Sequence, residues 1–127
     1  MSRHHLVAGG SGFIGSHLCD ELLRRGDTVT ALDNFATGRR TNVTHLLGHP
    51  RFRLIEHDIT VPLPESATAT SYDTVLDFAS PASPLDFRTM PLEILAVGST
   101  GTRNLLDLAT AQAARFMLRS EEHTSEL

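Results

Sequence analysis

The stretch "VAGGSGFIGSHL", residues 7–18, constrains the fold more than any other part of this chain. It carries two overlapping glycine registers, Gly10-x-Gly12-x-x-Gly15 and Gly9-x-x-Gly12-x-x-Gly15. The short apolar run "HHLVA" precedes it, and Ile14, Leu18 and Leu22 follow at four-residue spacing, as on one helical face. Gly26 supplies the helix stop. "TVTALD", residues 28–33, then alternates β-branched and apolar residues and ends on an acid. Strand, glycine turn, helix and a second strand closed by Asp33, about 20 residues beyond the turn, compose a dinucleotide-binding fingerprint. The first glycine permits a tight strand-to-helix turn, the second lets a pyrophosphate approach the backbone, and Gly15 lets the helix lie close to the sheet. The phosphates then meet the positive end of the helix dipole. Asp33 would accept hydrogen bonds from the adenosine ribose and repel a 2′-phosphate, which selects NAD over NADP. Arg39 and Arg40 pull the other way from a loop of undefined direction, and the acid's fixed place at the strand end decides for NAD.

The remaining chain repeats the alternation. "NFATGRRTN" is turn-rich and leads into a helical stretch around Val43–Leu47, closed by Gly48, His49 and Pro50. "RFRLIEHD" (51–58) and "TVLDFAS" (74–80) read as the third and fourth strands, joined by a polar loop through Pro62 and Pro64. A helical pattern returns from about Leu92 to Ala114, where Gly98 and Gly101 lower helix propensity and imply close packing against a neighbour. "RFML" (115–118) is the fifth strand. Strands alternating with helices predict an α/β fold: a Rossmann-like, doubly wound parallel sheet, cut off after about five strands.

Composition removes several function classes. A chain of 127 residues with 40% hydrophobic and 20% charged residues suits one soluble domain. No apolar run is long enough for a transmembrane helix, and the glycine cluster interrupts any signal-peptide core, so a cytoplasmic location is expected. Cys19 is the single cysteine, which suits a reducing compartment and reads as a small apolar helix residue. A net charge of −4 offers no footprint for nucleic acid. The missing Gly-Lys-Ser/Thr phosphate loop speaks against triphosphate hydrolysis, and the histidine spacings repeat no metal site.

"AGGSGFIGSHLCDELLRRGDTVTALDNFATGRRTNVTHLLGHPRF" resembles the start of an extended short-chain dehydrogenase/reductase, the NAD-dependent epimerase/dehydratase family. "IEHDIT", "DFASPASP" and "VGSTGTRNLL" narrow the likeness to the sugar-nucleotide branch, most closely the bacterial UDP-glucuronate decarboxylases. The likeness runs from about residue 5 to 118. It implies that Gly9, Gly12, Phe13 and Ile14 meet the pyrophosphate, within a turn completed by Gly10, Ser11 and Gly15. It also implies that Asp33, Asn34, Phe35, Thr37 and Gly38 surround the adenosine ribose and that Asp58 and Ile59 flank the adenine. Ala79, Ser80 and Ala82 would line the nicotinamide side. Two positions depart from the pattern: Ala8 stands where threonine is usual, and Asp77 where histidine is common. A carboxylate at 77 is costly unless paired.

In the resembled enzymes the sugar loses hydride from C4 to NAD⁺, and the ketone formed lies β to the C5 carboxylate. CO₂ then leaves an enolate, and protonation with return of hydride gives UDP-xylose. That chemistry implies a Tyr-x-x-x-Lys pair. This chain has Tyr72 as its one tyrosine and carries no lysine, so no residue in it is assigned a catalytic role and no metal ligand is assigned. The sequence reading is therefore an NAD-binding N-terminal part, residues 1–118, of a nucleotide-sugar enzyme that is a homodimer in its full form, the fragment itself inactive. A 4,6-dehydratase or 4-epimerase origin is the neighbouring alternative. A non-catalytic dinucleotide sensor, or an interaction domain that binds no dinucleotide, is the alternative of another class. The helix near 92–114 is expected to expose an apolar face. Arg119–Leu127, "RSEEHTSEL", matches codon for codon the translation of a common sequencing adapter and is expected to be a non-native tail.

Overall fold

The computed structural model describes residues 2–35, 39–79, 92 and 96–119. Five strands stand among them: β1 (His4–Ala8), β2 (Thr28–Asp33), β3 (Phe52–Glu56), β4 (Thr74–Asp77) and β5 (Arg115–Leu118). All four pairings are parallel, and the sheet runs β3-β2-β1-β4-β5. The order reverses direction between β1 and β4, which is where an open α/β sheet parts to form a ligand crevice. Residues 120–127 of the expected tail lie outside the described residues.

Two hydrophobic layers hold the sheet. Leu6, Ala8, Leu32 and Val75 pack with Leu105, Leu108 and Ala109 on one face. Val7, Val29 and Ala31 pack with Cys19, Leu22 and Leu23 on the other. Successive residues of β1 enter opposite layers, as the two-residue period of a strand requires, so the central strand is apolar throughout its buried length.

Helix α1 (Phe13–Arg24) buries Gly15, Ser16, Cys19, Leu22 and Leu23. The stripe expected through Ile14, Leu18 and Leu22 is thus corrected: Ile14 is exposed at the helix start and Leu18 only half-buried. At about 100° per residue these three positions span only about 80°, but the buried set centres on Cys19, about 140° round the helix from Ile14 and about 100° from Leu18. Gly26, with φ of +92°, ends the helix as expected. Its N–H donates to the Leu23 carbonyl and that of Asp27 to Leu22, which satisfies two terminal acceptors.

Elsewhere the structure is more broken than the periodicity implies. The helical stretch at Val43–Leu47 is two 3₁₀ turns, Arg40–Asn42 and Thr44–Leu46. The polar loop after β3 contains a one-turn helix, α2 (Glu65–Thr68). In the described part of 92–114, a π-helical turn (Val97–Gly101) leads into α3 (Thr102–Gln112). A Cβ at Gly101 would lie 2.7 Å from Ile59 Cδ1, so the expected close packing exists there, whereas Gly98 has nothing within 4 Å. On α3, Leu105 and Leu108 are buried and Leu106 is exposed.

Candidate functional site

The glycine turn sits where β1, β2 and β4 end. Gly9 leaves β1 with φ of +81°, and its N–H donates to the Leu32 carbonyl at 2.7 Å. A Cβ there would stand 2.3 Å from the Phe78 carbonyl oxygen; one at Gly10, 2.5 Å from Ala31 Cβ; one at Gly15, 2.1 Å from the Gly9 carbonyl oxygen. These three glycines are needed because backbone and sheet occupy the space a side chain would take. Gly12 differs: its Cβ would meet one atom, the Gly9 carbonyl oxygen at 3.3 Å. Gly12 is also the N-cap of α1, which has no side-chain cap. The first-turn amides have no intrahelical acceptor, an arrangement suited to an anion at the positive end of the helix. Phe13 and Ile14, both exposed, flank this opening.

Asp33 is tied to that turn. Its Oδ2 accepts the Ser11 N–H at 2.9 Å and its Oδ1 the Phe35 N–H at 2.8 Å. The acid therefore fixes the relation of the glycine turn to the loop after β2, besides offering its remaining lone pairs to a ligand. The Ser11 carbonyl accepts the Arg39 N–H at 3.1 Å and Asn42 Nδ2 at 2.7 Å. Ser11 Oγ is buried without a partner among the described residues. Asn42 is a supporting residue that the sequence did not single out; its acceptor lies 31 positions away, and no local pattern marks it. Asn34 is exposed beside Asp33. Thr37, Gly38, Ser80 and Ala82 lie outside the described residues.

Around the expected adenine side, Asp58 Oδ1 accepts the Thr60 N–H at 2.9 Å and hydroxyl at 2.7 Å. Ile59 is 5% exposed and packs in the core against Gly101, which leaves its backbone rather than its side chain available on the expected adenine side. Asn104 Nδ2, on α3, donates to the Ile59 carbonyl at 2.7 Å.

The departures from the family pattern are both buried. Ala8 is fully enclosed and lies in register with Leu32 and Asp77. Asp77 is 1% exposed at the end of β4. Its Oδ1 accepts the Ala79 N–H at 3.1 Å, and its Oδ2 the Thr102 hydroxyl at 3.4 Å. Burial pushes the Asp77 carboxyl above the usual range, against the opposing pull of Ala79 and Thr102. Because the folded state holds this proton more tightly than the unfolded chain, the group's stability contribution is fullest below the ordinary Asp range. It is lost as pH climbs from there through the raised value. Asp77→Asn keeps the shape and cannot ionise, so it is expected to raise stability by on the order of 1 kcal/mol at about pH 7 and by little near pH 3. Denaturant midpoints at both pH values measure this; an equal effect at the two would count against burial of charge as its cause.

The other reactive side chains have structural employment. Tyr72 is buried and donates its hydroxyl to the Ala67 carbonyl at 2.7 Å. Burial pushes the Cys19 thiol up to about 12, leaving it unionised. His5 lies between the Thr74 hydroxyl and Asp27, and His4 bonds Thr30, both toward the starts of the strands and away from the glycine turn. Among the described residues, no helix is long and apolar enough to cross a membrane.

Comparison with known proteins adds to this geometry. The NAD dependent epimerase/dehydratase family matches residues 5–120. UDP-glucuronic acid decarboxylase 1 of Arabidopsis thaliana is 43% identical over 122 residues, covering 96% of this chain and 26% of the relative. The Danio rerio protein of the same name is 44% identical, over 96% of this chain and 27% of its own length. The chain thus spans about a quarter of the length of these curated relatives. Among solved structures, the Bordetella bronchiseptica enzyme WbmG in complex with NAD and UDP is similar with a TM-score of 0.79 and 26% identity, covering 93% of this chain and 37% of that one.

Proposed function

The chain belongs to the NAD dependent epimerase/dehydratase family, and on that premise we propose that residues 1–118 are the NAD-binding part of a nucleotide-sugar enzyme that converts UDP-glucuronate to UDP-xylose through a 4-keto sugar. The observation that carries the nucleotide reading is the contrast within one turn. Gly9, Gly10 and Gly15 are closed in by backbone and sheet, while Gly12 opens at the uncapped start of α1. The 43–44% identity to UDP-glucuronic acid decarboxylases supports the substrate class.

When bound, NAD supplies a hydride acceptor and donor. The chain's own residues bind and orient it. The first-turn amides of Phe13 and Ile14 would hold the pyrophosphate, Asp33 with Asn34 the adenosine ribose, and Asp58 the adenine amine; Ala79 would line the nicotinamide side. The Tyr-x-x-x-Lys pair that would move the substrate proton is not among these 127 residues, so the chain alone binds without turnover.

At a concentration about 100 times its Kd, NAD⁺ should stabilise the chain by roughly 2.7 kcal/mol, read as a rise in melting temperature. No rise at millimolar NAD⁺ would remove the nucleotide reading. UDP-xylose formed from UDP-glucuronate by this chain alone would overturn the claim that it does not turn over.

A further inference from the structure

Of the two arginines that follow Asp33, Arg40 is held by two neighbours. Arg40 lays its guanidinium over the Phe35 ring, 4.7 Å from the centroid, and donates from Nη2 to Glu56 Oε1 at 3.1 Å. Glu56 is the register partner of Asp33 in the β2–β3 pairing, so the two acids stand side by side at the end of the sheet. Phe35 is itself held there, its N–H donating to Asp33 Oδ1 at 2.8 Å.

In a fold of this kind the acid ending the second strand meets the ribose 2′-hydroxyl, and a nearby arginine is what accommodates a 2′-phosphate. Both groups that hold Arg40 are ones a 2′-phosphate would have to displace or repel. We propose that Glu56 is a cofactor-specificity residue: it occupies Arg40 together with Phe35, so that Arg40 is not free to receive a 2′-phosphate and a 2′-phosphorylated dinucleotide is rejected. The inference rests on the dinucleotide reading above and extends it to a residue outside the glycine turn. Arg40 and Glu56 are more than half exposed, so the pair contributes little to folding and its removal leaves the fold in place.

The test is calorimetric titration of NAD⁺ and NADP⁺ into the wild-type chain, Glu56→Gln, and Glu56→Gln combined with Arg40→Ala. Glu56→Gln is expected to bind NADP⁺ about three to ten times more tightly than wild type, with NAD⁺ affinity within about twofold. Adding Arg40→Ala should abolish the gain, which separates Arg40 from its neighbour Arg39. Unchanged NADP⁺ affinity in Glu56→Gln, with NAD⁺ binding intact, overturns the role of Glu56. A gain that survives Arg40→Ala overturns the role of Arg40. Failure of the wild type to bind NAD⁺ is a different result: it removes the dinucleotide reading and this inference with it.

Discussion

Gly9→Ala is expected to cost about 4 kcal/mol or more of folding stability, a large part of what a domain of this size has. Two costs combine. The backbone is at φ of +81°, where an L side chain is strained. The new methyl would also stand 2.3 Å from the Phe78 carbonyl oxygen and 2.8 Å from Ala79 Cα. Those atoms are backbone leaving β4, and the pairing of β4 with β1 on one side and β5 on the other restrains them from moving away. Gly26→Ala separates the two costs, because Gly26 has φ of +92° but nothing within 4 Å. It should lose only about 1 kcal/mol. Urea titration of both variants measures the difference; equal losses would mean that contact with β4 contributes nothing and conformational strain is the whole effect.

The contrast also shows what the sequence could reveal about the site. The glycine turn and Asp33 were legible because their requirements are local: a strand, glycines at fixed spacing, a helix, and an acid at the next strand's end. The parallel sheet followed from the alternation of element types. Asn42, Thr102 and Glu56 gave no such signal, since each meets its partner from a distant part of the chain and belongs to no periodic set. Ile59 illustrates another limit. The resemblance placed it beside the adenine, but whether its side chain faced ligand or core depended on Gly101, 42 positions later, leaving room for it. Four-residue spacing likewise located α1 but misdirected its buried face, because Ile14 lies exposed at the helix start, off the face that Cys19, Leu22 and Leu23 bury.

Asp33→Ala is expected to weaken folding and NAD⁺ binding together, by about 3 kcal/mol and roughly 30-fold or more respectively. Each carboxylate oxygen accepts a backbone amide, one from Ser11 in the glycine turn and one from Phe35 in the following loop. Ser11 is fully buried, so its amide would be left without an acceptor and without solvent. The turn would then lose its anchor to β2 at the point where the proposed pyrophosphate and ribose sites adjoin. Asp33→Asn discriminates between anchor and charge: its oxygen can keep one amide, but its NH₂ must face the other, donor against donor. It should therefore recover only part of the stability. Thermal melts without ligand and titrations with NAD⁺ read the two effects separately. If Asp33→Ala melts like wild type yet loses NAD⁺, the acid serves the ligand alone and the two amide contacts carry no weight. Loss of both places Asp33 in the architecture of the turn as well as in the binding of the ribose.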